Sequence, residues 1–445
     1  MQIKLPKKVQ YIIQTLEDAG YEAYAVGGCV RDSLLGREPD DWDVTTSAAP
    51  MQIKSVFQRT IDTGIQHGTV TVMLEHEGFE VTTYRIDGEY EDSRHPKEVI
   101  FTQNLVEDLK RRDFTINAMA YNDRSGIVDE FGGVDDLNNG IIRCVGDARE
   151  RFSEDALRMM RAVRFSAQLG FDIDDATKNA ITELAPTLKN ISAERIQVEL
   201  IKLLVSPNPD YIRTAYELGI TKIIMPELDA AFETEQNNPH HIYTVGEHLM
   251  KALTCIRADK ALRIAALLHD IGKPRTKTTD EDGIDHFYGH AQLGEKMAVD
   301  ILKRLKFDND TITKVRNYVK YHDYEIDTTP KAVRRALNKI GEEYFSQILE
   351  IKLTDMLSQS LYKREQKQQI LDEIEEIYKD ILEKQQCVSL KTLEVTGNDL
   401  MNAGVPQGKR VGEILHILLE DVLENPKHNT FEYLIDKTNE ILKNE

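Results

Sequence analysis

Residues 24–47, YAVGGCVRDSLLGREPDDWDVTTS, decide how the first part of the chain is read. Tyr24 to Val26 is a short β-like run, Gly27 and Gly28 form a turn, the following residues make a short helix that Gly36 ends, and DWDVTTS reads as a second strand. Glycines let the backbone approach a phosphate, the helix start offers unpaired N–H groups, and Arg31 adds a charge-assisted donor beside Gly28. Asp41 and Asp43 lie two apart on the predicted strand, so both carboxylates are expected on one face. Two like charges there repel unless a cation stands between them. Mg2+ is the natural cation, because it prefers oxygen ligands and bridges to substrate phosphates. The stretch therefore predicts a metal-assisted triphosphate site.

Working outward, EAYAV, GTVTVML and GFEVTTYR are further β-like runs among helical stretches, so residues 1–145 are expected to form an α/β head. Beyond Ser153 apolar residues recur at three and four, as in AITELAPTLKNI and AERIQVELIKLLV, and the rest is expected to be helical. Turn-rich or polar breaks at 206–210, 233–241 and 362–369 suggest a neck over 146–205, a body over 206–360 and a tail over 361–445. In 445 residues, 56 Lys and Arg face 76 Asp and Glu, and a net charge of −20 excludes a polycation that coats nucleic acid without excluding a local basic track. No stretch has the roughly 20 apolar residues of a bilayer span, and no cleavage-site signature follows the start. A cytoplasmic protein is expected, without membrane or obligate protein partner. Cys29, Cys144, Cys255 and Cys387 show no paired spacing, which argues against a disulfide framework or a thiolate zinc site.

Five motifs in order, GGCVRD (27–32) with DWD (41–43), RRDFTINAMAY (111–121), IIRCVGDARERF (141–152), EDALRMMR (154–161) and AERIQVEL (193–200), resemble those of the class II tRNA nucleotidyltransferase and bacterial poly(A) polymerase family. The resemblance implies attack of an RNA 3′-hydroxyl on the α-phosphate of a nucleoside triphosphate, with pyrophosphate released. Asp41 and Asp43 would be catalytic, holding two Mg2+ ions. Glu80 is the positional candidate for a third carboxylate, or an exposed strand residue. In the second motif Arg111 and Arg112 would lie near phosphates, with Asn117 among the nucleotide-binding residues. Asp113 would accept from a ribose 2′-hydroxyl, cap the helix that FTINAMAY begins, or both.

Ser153 is a plausible cap for a helix carrying Glu154, Arg158, Arg161 and Phe165 at spacings of three or four. Cytosine and adenine share an exocyclic amine beside an unprotonated ring nitrogen, whereas uracil and guanine present a carbonyl beside an N–H. Asp155 as acceptor and Arg158 as donor would fit the first pair and leave the second unpaired, at about 1–3 kcal/mol per group. The resemblance favours this template, with Glu154 holding Arg158 and Arg161 beside the nucleotide, over an ordinary helix ion pair. Glu194, Arg195 and Glu199 are expected to brace the neck. Residues 84–102 resemble the flexible loop of enzymes that add the final A, which disfavours C-only addition.

Further on, HHIYTVGEH, AALLHDIGKP, HFYGHAQLGEK, NYVKYHD and KLTDMLSQ supply His248, His269, Asp270 and Asp355, a mixed N/O set suited to a transition metal or magnesium. They resemble the HD phosphohydrolase superfamily, which implies Ni2+ or Mn2+, second-metal ligands at His290 and His322, and Lys273 near phosphate; such a site is hydrolytic or retained for structure. In the tail, Gly404, Pro406 and Gly408 precede a helix opening with Lys409 and Arg410, a pair suited to an RNA phosphate. The expected function is addition of CCA to the tRNA acceptor end from CTP and ATP. The alternatives are an A-adding or poly(A) enzyme and, from another class, a metal-dependent phosphohydrolase with an RNA-binding head.

Overall fold

The computed structural model describes residues 2–87 and 99–444. The chain divides into two compact units, Met1–Asp229 and Ala230–Glu445. The expected head and neck, and the first residues of the expected body, fall in the first unit; the remaining body and the tail make up the second.

The first unit is built on strands β1 (Ala23–Val26), β2 (Val44–Thr46), β3 (Thr60–Gly64), β4 (Thr69–Leu74), β5 (Glu77–Thr83), β6 (Arg85–Asp87), β7 (Val99–Phe101), β8 (Ala120–Asn122) and β9 (Gly126–Val128). Seven of them form one sheet in the order β3-β4-β5-β2-β1-β8-β9. Only β2 and β5 run parallel, with Val44 opposite Val81. Every other pairing in the sheet is antiparallel. Alternation directs Val70, Val72, Val81 and Thr83 inward, and Val26, Tyr84, Leu109 and Ala120 pack in one apolar cluster. β6 and β7 form a separate two-stranded ladder. The loop expected over 84–102 is thus a pair of strands at its two ends, and its middle, 88–98, lies outside the described residues.

The helices of this unit include α1 (Lys7–Asp18), α2 (Gly28–Leu34), α3 (Pro50–Val56), α4 (Leu105–Lys110), α5 (Gly133–Asn139), α6 (Ala148–Glu154), α7 (Leu157–Leu169), α8 (Asp175–Leu184) and α9 (Ala193–Leu204). The helix expected to start at Ser153 is in fact two. Ser153 lies inside α6, the chain breaks at Asp155 (φ −142°, ψ 103°), and α7 begins at Leu157. Asp155 Oδ1 accepts from the Leu157 backbone N–H at 3.0 Å, so this aspartate ends one helix and caps the next. FTINAMAY also departs from expectation, forming one 3-10 turn (Thr115–Asn117) and then β8.

In the second unit, helices Val245–Cys255, Lys260–Leu268, His290–Arg304, Asn309–Tyr321 and Glu342–Ser358 pack on one another. Helix Arg364–Glu383 runs through the polar stretch expected as a break. Gly272 explains the close approach at the centre of this bundle: a Cβ there would sit 2.3 Å from the His290 carbonyl oxygen. Among the described residues no helix is long and apolar enough to cross a membrane.

Candidate active site and candidate metal centre

The turn between β1 and α2 depends on Gly27, whose φ of +84° is left-handed backbone and whose hypothetical Cβ would lie 3.0 Å from the Arg112 guanidinium. Asp41 and Asp43 immediately precede β2 instead of lying on it. The pairing nevertheless continues, because the Val26 N–H donates to the Asp43 carbonyl at 3.0 Å. The β2–β5 register, extended by one residue, brings Glu80 beside Asp43. The Asp43 carboxyl is raised above its ordinary value by desolvation, and the charges of Glu80 and Asp41 add to the rise against the opposing pull of Arg112. Three carboxylates and one guanidinium thus act on one another here.

Arg112 faces this group with its buried Nε lacking a hydrogen-bond partner. Arg111, expected beside phosphates, is committed elsewhere: its Nε and Nη2 donate to Oδ1 of fully buried Asp108 at 3.0 and 2.8 Å. Arg31 donates to both oxygens of Asp32 at 2.9 and 2.8 Å and to Asn117 Oδ1 at 2.7 Å. Asn117 in turn donates to Asp113 Oδ1 at 3.1 Å. Asp113 Oδ2 accepts from Arg161 Nε at 2.8 Å, and Oδ1 accepts from the adjacent Phe114 N–H at 2.9 Å. Burial would raise the Asp113 carboxyl, but Arg161 and Asn117 outweigh it and hold it at about 2. The predicted ribose residue is therefore ionised inside an Arg31–Asn117–Asp113–Arg161 chain, and it caps no α-helix. Phe165 of α7 lies under three guanidiniums, with Arg164, Arg31 and Arg161 at 3.7, 5.1 and 5.4 Å from its ring centre.

Asp155 and Arg158 share no side-chain hydrogen bond among those described. Asp155 accepts from Arg195 of α9 at 2.7 and 3.3 Å. Arg158 is ion-paired to Glu154 as expected, and also donates to the carbonyls of Arg151 and Arg111 at 3.0 and 3.2 Å. Each half of the predicted template is fixed by its own partner, and Arg195 is the part that helical spacing did not reveal, because it comes from another helix.

In the second unit the structure gathers all six expected ligands. His248 projects from its helix, His269–Asp270 and His322 follow helix ends, His290 begins a helix, and Asp355 lies within Glu342–Ser358. His248, His269, Asp270 and Asp355 form one set and Asp270, His290 and His322 a second, each with ligand atoms within 4.8 Å of one another. His248 Nε2 lies 3.0 Å from Asp355 Oδ1, 3.1 Å from His269 Nε2 and 3.4 Å from Asp270 Oδ2. On the other side Asp270 Oδ1 lies 3.4 and 3.5 Å from His290 and His322 Nε2, which are 3.2 Å apart. Ligand atoms about 2.1 Å from a shared ion are separated by about 3.0–3.4 Å at octahedral to tetrahedral angles, the spacing seen here.

The proton positions fit as well. The Nδ1 atoms of His248, His269, His290 and His322 approach the carbonyls of Ser358, Ala266, Phe287 and Val319 at 3.4, 2.9, 2.8 and 2.7 Å. A carbonyl can only accept, so Nδ1 carries the proton and the four Nε2 lone pairs face inward, an arrangement a cation between them would relieve. Burial would raise Asp270, yet the Lys273 ammonium beside it holds its carboxyl well below the usual carboxylate range. Lys273, expected near phosphate, is buried and ion-paired to Asp270 Oδ2 at 2.6 Å.

The tail cations are less free than their spacing suggested. Arg410 contacts Glu413 at 2.9 Å and Lys409 approaches the same carboxylate at 3.9 Å, although Lys409 is almost fully exposed.

Comparison with known proteins follows the same division. The poly A polymerase head domain model matches residues 23–143, the model described as an RNA and SrmB-binding site of polymerase A matches 170–232, and tRNA nucleotidyltransferase domain 2 matches 276–438. In three successive segments the chain is thus similar to poly A polymerase and tRNA nucleotidyltransferase domains. It is 55% identical over 208 residues to the CCA-adding enzyme of Lactobacillus helveticus, covering 46% of this chain and 52% of that one. The CCA-adding enzyme of Leuconostoc mesenteroides is 55% identical over 196 residues, 44% of this chain and 49% of that one. The chain thus matches about half the length of these curated relatives. The solved CCA-adding enzyme of Bacillus stearothermophilus in complex with CTP aligns over 100% of both chains, at 29% identity and a TM-score of 0.70. The Thermotoga maritima CCA-adding enzyme complexed with tRNA shares the fold at 20% identity and a TM-score of 0.58, over 99% of this chain and 100% of that one. Nucleotidyltransferases use a divalent metal, and the histidine and aspartate groups of the second unit are suited to one.

Proposed function

We propose that the protein adds the 3′-terminal CCA to tRNA, taking CTP and ATP with Mg2+ and releasing pyrophosphate. The observation that carries this reading is the meeting of Asp41, Asp43 and Glu80 with the unpaired Nε of Arg112 beside the Gly27 turn. Asp41 and Asp43 would hold the metal, with Glu80 as the third carboxylate. Bound magnesium supplies a polarised attacking hydroxyl and neutralises the triphosphate. The RNA 3′-oxygen bonds to the α-phosphorus, the bond from that phosphorus to the oxygen bridging to the β-phosphate breaks, and the hydroxyl proton passes to solvent. Arg112 meets phosphate charge, and Gly27 and Gly28 leave the backbone open to it. Asp113, fixed by Asn117 and Arg161, keeps lone pairs for a ribose 2′-hydroxyl. Asp155 accepts from the exocyclic amine of C or A while Arg158 donates to the ring nitrogen, each steadied by Arg195 or Glu154. The exposed Lys409 and its neighbour Arg410 would touch tRNA phosphate. A tRNA substrate puts this work in the cytoplasm.

The relatives' names favour CCA addition over a poly(A) tail. Incubation with tRNA ending at the discriminator base, with tRNA ending in CC and with unstructured RNA, each with one labelled nucleotide, tests it. CTP incorporation confined to the first tRNA and ATP incorporation on the second are expected. ATP-only extension, or tailing of unstructured RNA, defeats it.

A second activity is favoured by the paired histidine and aspartate sets of the second unit. His248, His269, Asp270 and Asp355 would hold one Mn2+ or Ni2+ and Asp270, His290 and His322 another, and the reaction would be hydrolysis of a phosphate ester or cyclic phosphodiester at nucleotide or RNA ends. Such bound ions supply an activated water and charge neutralisation at the phosphate. The water oxygen bonds to phosphorus, the ester P–O bond breaks, and the released alkoxide takes a proton.

A further inference from the structure

At the mouth of the second unit's cluster stands an aromatic pair that the ligand set leaves unused. The short ladder of Thr278–Thr279 with Asp285–His286 leads through Phe287, Tyr288 and Gly289 into the helix that begins at His290. Tyr288 is 78% exposed, which is costly for a ring of this size unless something covers it. Its ring lies against that of His286, 5.4 Å between centres and 6° from parallel, and its hydroxyl reaches His286 Nδ1 at 3.4 Å. His286 is fixed in turn by Asp280 Oδ2, 2.7 Å from Nε2. The backing is therefore rigid on one face of Tyr288, while the residue as a whole stands in solvent.

The position of this pair is set by the cluster itself. The Phe287 carbonyl holds His290 Nδ1 at 2.8 Å, so the residues on either side of Tyr288 are fixed by burial of Phe287 and by the ligand set. Two residues of chain carry Tyr288 no more than about 8 Å from His290. A single sugar bridges a comparable distance between a phosphate and the face of its base. Tyr288 and His286 also line the same cavity of about 320 Å3 as Asp270, His290, His322 and Asp355. A flat ring with a rigid backing is the usual means of gripping an unpaired base without reading its sequence.

We propose that Tyr288, backed by His286, is a stacking platform for the nucleobase of the substrate hydrolysed at this cluster, so that the site selects phosphodiesters carried by an unstacked terminal nucleoside. The inference rests on the hydrolytic reading above. The test compares, on the full chain with Mn2+, kcat/KM for adenosine 2′,3′-cyclic phosphate and for the cyclic phosphate of methyl riboside, which has the same reacting centre and no base. The wild type is expected to prefer the nucleoside. Tyr288→Ala lowers that preference about tenfold, chiefly through KM, and Tyr288→Trp restores it. A parallel fall for both substrates in Tyr288→Ala, an unchanged ratio, or no preference in the wild type overturns the platform and leaves the hydrolytic reading standing. A wild type that hydrolyses neither compound overturns both.

Discussion

The carboxylates before β2 and the cluster of the second unit are two different arrangements of groups that could hold a cation. In the second unit the ligand atoms already lie at metal-sharing distances, their tautomers fixed by backbone carbonyls and their side chains mostly buried. In the first, Asp41, Asp43 and Glu80 are exposed and form no such close set, but the charges of Glu80 and Asp41 help to raise the Asp43 carboxyl against the pull of Arg112. One site is assembled by the fold alone. On the proposed reading the other would be completed by a triphosphate and its metal, which suits a site that must release both after each turnover.

The strongest way to break this contrast is at Asp43. Asp43→Ala should lower CTP incorporation into tRNA lacking its CCA end on the order of a thousandfold, with no change in melting temperature because the side chain is exposed. The metal retained by the resting protein should not change. Full incorporation by this variant would remove the metal-binding assignment from the head.

Asp270 is the reciprocal point, since one carboxylate serves both ligand sets. After dialysis against Mn2+ and then metal-free buffer, the wild type should retain about two ions per chain by elemental analysis, and Asp270→Asn fewer than one, with CTP incorporation within about twofold of wild type. A wild type that retains no metal would show that the cluster is structural.

Selectivity sharpens the comparison from the preformed side of the head. Replacing Asp155 and Arg158 together by Ala should bring UTP and GTP incorporation to within about tenfold of CTP and ATP, since the penalty on the wrong edges disappears while phosphate contacts remain. Arg195→Ala should relax selectivity less, acting only through the position of Asp155. A proportional loss for all four nucleotides would make these residues structural.

The smallest effect is one of stability and pH. Asp113 titrates at about 2 in the folded protein against an ordinary 3.8. A lowered carboxyl stabilises the fold fully above its unfolded value and loses that contribution as pH falls through the folded one, so about 2 kcal/mol should vanish between pH 5 and 2. Urea unfolding of wild type and Asp113→Asn at a series of pH values measures it: the stability gap should narrow by that amount on acidification. A constant gap would mean that the Arg161 pair contributes nothing through ionisation.

Local pattern carried a large part of this protein. The Gly27 turn, the strands around Val44, Val70 and Val81, the helical second half and the histidines and aspartates that gather in the second unit are all legible, because alternation, helical period and residue chemistry are properties of short stretches. What failed to read correctly was also local in origin. Asp155 stands inside an apparently continuous helical pattern, yet its side chain caps the next helix, and the alternation that puts Asp41 and Asp43 on a strand runs ahead of β2, which begins only after Asp43.

The sequence by itself determined which groups are available: the carboxylates, guanidiniums and imidazoles, and their order along the chain. Only the tertiary structure decided which of them meet. Arg111 goes to Asp108 and Arg112 keeps an unpaired Nε; Asp155 is held by Arg195, forty residues away; Glu80 comes beside Asp43 through the parallel β2–β5 register. Those pairings depend on strand register and on helix packing, which couple residues by distance in space, and distance in space is not written in any short window of sequence.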